Sequence, residues 1–297
     1  MKRHVRLVIT AASLILILTG MIVIIEGSKP IYRYDGSRAF QDVAVQMSFG
    51  PRTPGSEAHQ KFNAWLTGEL TKNGWQVETW ESSDPQPIKN IIARRGSGQP
   101  WTVLGAHYDS RLQASADAEP VNRTQPVPGA NDGASGVAVL LELARSLPPE
   151  TSGEVWLVFF DAEDNGEIPG WEWIMGSRRF VADLLARSER KPDRAVIVDM
   201  VGDAELDLYY EGQSSEALQT EIWQTAKTAG YGDVFIPEKR YNILDDHVPF
   251  LEAGIPAVDI IDFDYPHWHR LSDTADKVSA ASLQAVGDTL WHWLVGR

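Results

Sequence analysis

Acidic and imidazole side chains follow four apolar runs of this sequence. They are His107 and Asp109 after run 101–106, Asp161, Glu163 and Asp164 after run 154–160, Asp199 after run 195–198, and His267 and His269 beyond run 257–261. If these runs are parallel strands of one sheet, their carboxyl ends meet at the edge where such sheets bind ligands. The chain has no cysteine, so a metal site here must use carboxylate and imidazole donors, a set that suits zinc in hydrolytic enzymes.

Each of these residues also has a simpler interpretation. A single Asp at a strand end is usually a turn former, and Asp132 in Gly129-Ala130-Asn131-Asp132-Gly133 can cap the helix that follows. A lone loop histidine such as His267 is more often a hydrogen-bonded residue than a ligand. Independent turn formers have no reason to share one edge of one sheet, so the joint pattern favours a metal site.

The elements that would position these side chains alternate along the chain. Buried strands are predicted at 88–93, 101–106, 154–160, 195–198 and 257–261, and helices at 37–47, 56–70, 133–147, 174–185, 215–229 and 279–294. Alternation of this kind predicts an α/β fold in which helices cover both faces of a largely parallel sheet. The polar, turn-rich segment 110–128 is expected to border the active site.

The N-terminus carries a basic tip followed by an apolar segment. Lys2, Arg3 and Arg6 precede residues 7–25, a stretch without charge that is long enough to span a bilayer and has no small-residue cleavage point. We therefore expect residues 1–27 to be a cytoplasmic tip and an uncleaved signal anchor, 28–36 a linker, and 37–297 the catalytic domain. The positive charge stays inside, which places that domain on the extracytoplasmic side of a membrane.

Composition excludes several classes of protein. The 27 Lys and Arg residues against 41 Asp and Glu residues give a net charge of −14, which argues against nucleic acid as a partner. Without cysteine there is no disulfide scaffold and no thiolate chemistry. No Gly-x-Ser-x-Gly elbow follows a strand, so a serine hydrolase is disfavoured.

Six motifs in order resemble the zinc-dependent aminopeptidase and glutaminyl-peptide cyclotransferase superfamily. They are Gly105-Ala106-His107-Tyr108-Asp109-Ser110, the segment 129–136, Phe160-Asp161-Ala162-Glu163-Asp164, Val198-Asp199-Met200-Val201-Gly202, Asp245-Asp246-His247-Val248-Pro249-Phe250, and Trp268-His269-Arg270-Leu271-Ser272-Asp273-Thr274. The resemblance covers residues 37–297. It implies a three-layer α/β/α sandwich of the zinc exopeptidase type, with a mostly parallel mixed sheet.

The resemblance also implies roles for individual residues. Asp132, Asp164 and His269 would hold one zinc ion, with Glu163 as general acid/base. In the two-zinc aminopeptidases, Asp132 would bridge to a second ion held by His107 and Asp199. One ion is favoured and two are possible. Many relatives have Glu at position 164, so Asp164 is a shorter ligand here.

Two reactions on peptide N-termini fit this pattern. A glutaminyl cyclase converts N-terminal Gln to pyroglutamate. Three resemblances favour it: Trp268 resembles the cyclase pocket, Asp245 resembles the cyclase acid that hydrogen-bonds in the site, and the loop Trp171-Glu172-Trp173 resembles the cyclase's aromatic wall. Asp199 would then be a hydrogen-bond partner of Glu163. The alternative is a metallo-aminopeptidase, because the donor sets for both zinc ions, here called the two half-sites, are complete by residue type. Asp259 also argues against the cyclase, since it stands where animal cyclases carry His. A minor alternative is an inactive metal-binding ectodomain, which would be expected to lose Glu163 or a ligand.

Overall fold

Five of the six strands of the central sheet are the apolar runs that the sequence marks as strands. The computed structural model describes residues 32–83 and 85–296. In chain order the elements are α1 (Gly36–Phe49), α2 (Glu57–Lys72), β1 (Gln76–Ser82), β2 (Ile88–Gly96), β3 (Trp101–His107), α3 (Ala134–Ser146), β4 (Glu154–Phe160), α4 (Met175–Arg187), β5 (Arg194–Asp199), β6 (Leu208–Glu211), α5 (Glu216–Ala229), β7 (Phe235–Tyr241), α6 (Val248–Glu252), β8 (Ala257–Ile261) and α7 (Ala280–Val295), with short 3₁₀ turns at Pro120–Asn122 and Ala275–Lys277.

The sheet is mixed, and its parallel part carries the predicted site. Across the described ranges, six strands pair in the order β1-β2-β4-β3-β5-β8, while β6 and β7 form a separate parallel pair. Strands β4, β3, β5 and β8 run parallel, and β1 and β2 are antiparallel to their neighbours. The expected mostly parallel sheet is therefore confirmed, with an antiparallel edge.

Alternate residues of each central strand face two different helical layers. Leu104, for example, belongs to the larger core, to which helices α1, α2, α3, α5 and α7 contribute, whereas Val103 belongs to the core that α4 and α6 cover. Burial on both faces explains why these strands read as unbroken apolar runs. Each fully buried Leu, Val or Phe contributes about 1.5–3 kcal/mol to stability relative to an exposed one.

Close packing of helix α3 fixes the metal-site edge of the sheet. A Cβ on Gly136 would lie 2.3 Å from the Val198 carbonyl oxygen and 3.0 Å from Ala106 Cβ, so the helix rests directly on β3 and β5. A Cβ on Gly133 would lie 2.4 Å from His107 Nε2. These glycines bring Asp132, at the start of α3, up to the ends of the strands.

Three strands lack a sequence signal, and one predicted segment lies outside the described residues. Strands β1 and β7 were not predicted, because their residues are largely exposed or half-buried and form no apolar run. Strand β6 was not predicted because it has only 4 residues, which end in the acid Glu211. The predicted transmembrane segment 7–25 lies outside the described residues. Among the residues that are described, no helix is long and apolar enough to cross a membrane. The unit Arg33–Arg297 contains every element given above.

Candidate functional site

The predicted donors converge at the carboxyl edge of the parallel strands. His107 ends β3 and pairs in register with Phe160 at the end of β4, and Asp199 ends β5 opposite Ile261 of β8. Glu163 and Asp164 follow β4, and His269 lies in the loop after β8. Because neighbouring parallel strands end together, residues far apart in sequence become neighbours here.

One group of donors combines Asp132, Asp164 and His269. His269 Nε2 lies 2.8 Å from Asp164 Oδ1 and 3.9 Å from Asp132 Oδ2, and all three residues are buried. The shorter Asp164 therefore still reaches His269. His267, two residues before His269, is not part of this group, and its Nδ1 lies 2.8 Å from Ser272 Oγ.

A second group shares Asp132 with the first. His107 Nε2 lies 3.0 Å from Asp199 Oδ1 and 3.1 Å from Asp132 Oδ1. The other ring nitrogen of His107, Nδ1, faces Asp109 Oδ1 at 3.6 Å. Ligand histidines commonly direct their second nitrogen to a carboxylate in this way. Both half-sites of the resemblance are thus assembled.

Three buried residues that were not predicted as site residues hold the donors in place. The Asp109 carboxylate accepts hydrogen bonds from the Glu163 backbone N–H at 3.0 Å and from Asn165 Nδ2. Asp273 accepts from the backbone N–H of Asp132 at 3.2 Å. Arg111 donates to the Asp164 carbonyl oxygen at 2.8 Å. Asp109 and Asp273 stand within the recognised motifs, but Arg111 gave no sequence signal.

Aromatic side chains line the cavity above the donors. The cavity measures about 250 Å³ and is lined by Glu163, Asp199 and Asp245 together with Trp173, Phe263 and Trp268. The Trp268 ring stacks on His269 at a centroid distance of 3.6 Å, and Trp173 lies nearly parallel to His269 at 5.9 Å.

The expected role of Trp171 needs correction. Trp171 packs against Ile88, Ala162 and Met175 and is not among the residues that line the cavity. A turn in which the Trp171 N–H donates to the Ile168 carbonyl directs the chain so that Trp173, two residues later, takes the place in the wall.

Left-handed backbone conformations flank the catalytic positions. Ala162, Met200 and His269 have φ values of 54°, 47° and 55°. Non-glycine residues adopt this region at a cost of order 1–3 kcal/mol, and such residues concentrate at functional sites. Ala162 precedes Glu163, Met200 follows Asp199, and His269 is itself a donor. The surrounding packing therefore holds this edge of the sheet in a strained backbone geometry.

The site carries more buried negative charge than its side chains neutralise. Burial raises the pKa of Glu163 well above its usual range, and nearby Asp164 and Asp245 raise it further. Burial likewise raises the pKa of Asp199 to about 7, although His107 opposes the shift. Asp164 Oδ2 is buried without a hydrogen-bond partner among the described residues. A divalent cation would supply the missing charge, so the donor set fits zinc.

The sequence profile of Peptidase family M28 matches residues 90–294, more than half of the chain. The glutaminyl-peptide cyclotransferase of Drosophila melanogaster is 27% identical over 278 residues, covering 80% of this chain and 75% of that protein. Among proteins of solved structure, a leucine aminopeptidase precursor from Bacteroides thetaiotaomicron superposes with a TM-score of 0.84 at 30% identity, covering 91% of this chain and 100% of that one.

Two further solved structures are similar to the same extent. A glutaminyl cyclase from Bacteroides thetaiotaomicron, bound to N-acetylhistamine, has a TM-score of 0.83 at 30% identity and covers 90% of this chain and 100% of its own. A Zn-dependent exopeptidase from Parabacteroides distasonis has a TM-score of 0.81 at 28% identity, with the same coverage. Cyclases and exopeptidases therefore share this architecture.

Proposed function

The chain belongs to peptidase family M28, and from that premise we propose that it is a zinc-dependent glutaminyl-peptide cyclotransferase. It would convert an N-terminal Gln of a peptide or protein to pyroglutamate and release ammonia. The observation that carries this proposal is the aromatic wall beside Glu163, in which Trp268 stacks on His269 and Trp173 lies nearly parallel to it. Flat walls suit a planar side-chain amide and the planar lactam that it becomes.

The reaction forms one carbon–nitrogen bond and breaks another. The substrate's α-amino nitrogen attacks the side-chain amide carbon, and the amide nitrogen leaves as ammonia. One proton must move from the attacking amine to the departing nitrogen. Zinc held by Asp132, Asp164 and His269 would supply a Lewis acid that polarises the substrate carbonyl. No water molecule is consumed.

Glu163 is the residue placed to move that proton. Its backbone is held by Asp109, and it follows strand β4 directly before the donor Asp164. Burial raises the pKa of its carboxyl group, which is the direction that strengthens a carboxylate as a proton acceptor. Asp199 and Asp245 line the same cavity and are proposed to hold Glu163 and the substrate amine through hydrogen bonds. The cavity would hold the amine near the amide, so that cyclisation benefits from proximity.

A second candidate function rests on one specific observation. His107 and Asp199 contact each other and His107 contacts Asp132, all within 3.1 Å, so the donors for a second ion are assembled. A two-ion site favours a metallo-aminopeptidase, in which water attacks the first peptide bond.

A paired assay separates the two proposals. The zinc-loaded protein is incubated with an N-terminal Gln peptide and, separately, with Leu and Ala chromogenic amides, and initial rates are compared. We expect Gln cyclisation to dominate by at least about a hundredfold in kcat/KM, the scale of discrimination that a polar group can provide in a fitted pocket. Turnover of the Leu and Ala amides without cyclisation would instead establish the aminopeptidase.

A Trp268→Ala variant should lose a larger fraction of its cyclisation rate than of its bound zinc.

A further inference from the structure

A second cavity, of about 340 Å³, lies at the edge of the sheet opposite the metal donors. Trp101 and Glu154, the first residues of β3 and β4, line it, whereas His107 and Phe160 end the same two strands at the catalytic edge. Each of these strands has 7 residues, which span about 20 Å of extended chain. The second cavity is therefore separate from the catalytic one.

Three tryptophan side chains line this second cavity, here called the indole cavity. Trp80, Trp101 and Trp156 come from β1, β3 and β4, and all three are buried. They belong to the smaller core, to which α4 also contributes. Helix α4 ends at Arg187, which lines the indole cavity as well. The cavity thus lies where the helix that covers this face of the sheet ends.

An arginine side chain lies over each of the three indole rings. The distances from the guanidinium carbon to the ring centroid are 4.5 Å for Arg187 on Trp80, 5.1 Å for Arg94 on Trp156 and 5.5 Å for Arg190 on Trp101. A guanidinium that stacks on a ring keeps its N–H groups in the plane of its fork, where an anion can accept hydrogen bonds from them.

Two of these three arginines have acidic partners in the cavity wall. Arg94 Nη2 lies 3.4 Å from Glu78 Oε2, and Arg190 Nη1 lies 3.9 Å from Glu154 Oε2. Arg187 contacts an indole ring instead, and it has no carboxylate partner within residues 32–83 and 85–296. The indole cavity therefore carries one uncompensated positive charge, in a chain whose net charge is −14.

Three buried hydrogen-bond donors of the cavity-lining residues also lack an acceptor. Trp156 Nε1 donates to Glu154 Oε1 at 2.8 Å, but Trp80 Nε1, Trp101 Nε1 and Arg94 Nε are buried without a hydrogen-bond partner in the described part of the chain. An indole N–H can only donate, and buried donors are nearly always paired. Arginines that merely covered the indole rings would explain the stacking, but they would leave these donors without acceptors.

We propose that the indole cavity binds a small anion of the aromatic carboxylic acid class. A carboxylate brings one negative charge, which balances Arg187, and two acceptor oxygens that fit a guanidinium fork. The indoles and Leu184 suit the apolar body of the ligand, and flat rings stack on guanidinium planes. A volume of about 340 Å³ is within the usual range of small-molecule sites.

The charge of the cavity wall also separates a carboxylate from a phosphate. A phosphate monoester carries nearly two negative charges, and it would lie close to both Glu78 and Glu154 in this cavity. A monoanion therefore fits better. This site goes beyond the proposed reaction and does not depend on which reaction the enzyme performs.

Calorimetric titration of the zinc-loaded full-length protein with indole-3-acetate tests the proposal. We expect a dissociation constant below about 1 mM, and binding at least about tenfold weaker for the neutral indole-3-acetamide. Phenyl phosphate should bind more weakly than indole-3-acetate. Equal affinity for the acid and the amide, tighter binding of phenyl phosphate, or no binding of indole-3-acetate at about 10 mM would overturn the proposal.

A matched pair of variants places the probe in the indole cavity. Arg187→Gln removes the uncompensated charge from an exposed position, and we expect it to bind indole-3-acetate about ten- to a hundredfold more weakly, the usual effect of losing a hydrogen bond to a charged group. The control is Arg179→Gln in the same helix, because Arg179 pairs with Asp183 and does not line the cavity. It should bind like wild type, and thermal unfolding checks that both variants fold. Equal affinity in Arg187→Gln and wild type would place the probe elsewhere, for example on the zinc, and would overturn the proposal.

A further measurement requires no substitution. Crystals of the wild-type zinc-loaded protein are soaked with a brominated indole-3-acetate and recorded at the bromine absorption edge. We expect an anomalous peak in the cavity that Trp80 and Arg187 line. A peak in the catalytic cavity with none here would contradict the proposal. Titration with N-acetyltryptophan then identifies the source of the carboxylate: tighter binding than indole-3-acetate assigns the site to the C-terminus of a peptide, and weaker binding assigns it to a free acid.

Discussion

Glu163 is the residue on which catalysis should depend most. Asp132, Asp164 and His269 form a donor group without it, so replacing it should leave the metal in place. We predict that Glu163→Gln keeps the fold and the zinc content but lowers kcat by at least about a hundredfold, the usual scale of general acid/base catalysis. Steady-state kinetics with parallel elemental analysis measures both quantities.

The control for this variant is Glu172→Gln, an exposed acid on the same loop. It should change turnover little. Near-normal turnover in Glu163→Gln would shift the role of proton carrier to Asp199 or Asp245, which line the same cavity.

Glu211 gives a pH-dependent prediction for stability. Although burial opposes ionisation, His247 and the backbone N–H groups of Gln213 and Ile243 hold the pKa of its carboxyl group at about 2, below the ordinary value of 4.5. Its contribution is therefore present above about pH 4.5 and is lost as the pH falls toward 2. We predict that Glu211→Gln lowers the free energy of unfolding of the metal-free protein by about 3 kcal/mol at pH 7. The deficit relative to wild type should shrink by more than half at pH 3. Urea denaturation at both pH values measures it, and a deficit that does not change with pH would contradict this account.

At the scale of elements, the loop between β3 and α3 braces the segment that carries His269. Asp117 Oδ2 accepts a hydrogen bond from the Leu271 backbone N–H at 3.0 Å, and the Ala116 N–H donates to the His269 carbonyl at 3.2 Å. His269 has a left-handed backbone conformation that this contact helps to hold. The loop therefore takes part in shaping the metal site.

We predict that Asp117→Ala weakens zinc binding by about ten- to a hundredfold, the usual cost of losing a group that orients a ligand. Competition with a chromogenic chelator measures the affinity. Asp117→Asn, which keeps an acceptor for the Leu271 N–H, should lose less. Glu119→Ala, at an exposed position of the same loop, serves as the control. An unchanged zinc affinity in Asp117→Ala would show that the loop does not position His269.

Some strands and site residues could be predicted from the sequence, and others could not. Strands β2–β5 and β8 were predictable because each carries an apolar run at its centre, whereas β7 has one buried residue, Phe235, and no such signal. The donors were found because parallel strands end at one edge. The choice between Trp171 and Trp173 was not predictable, since a local turn decides it. Arg111 binds backbone carbonyl oxygens, a role that leaves no pattern in sequence.

At the scale of the whole molecule, we propose that residues 7–25 anchor the enzyme in a membrane, with the catalytic domain on the extracytoplasmic side. The basis is sequence: an uncharged apolar segment behind Lys2, Arg3 and Arg6. The unit Arg33–Arg297 has its own cores and the complete donor set. It should therefore fold and act without the preceding residues.

We predict that the full chain sediments with membranes, while a chain beginning at residue 33 stays in the supernatant with the same kcat per bound zinc. Fractionation with parallel assays measures this. A full chain that remains in the supernatant would contradict the anchor, and it would leave the catalytic proposal untouched.

The central claim is that the amine of the substrate, and not water, is the nucleophile. The most direct test incubates the zinc-loaded enzyme with an N-terminal Gln peptide in water enriched in the heavy oxygen isotope and analyses the products by mass spectrometry. Cyclisation predicts a peptide that has lost only ammonia and carries no heavy oxygen, because no water enters the product. Release of free Gln labelled with heavy oxygen at its carboxyl group would show that water attacks the peptide bond, and would contradict the cyclase assignment.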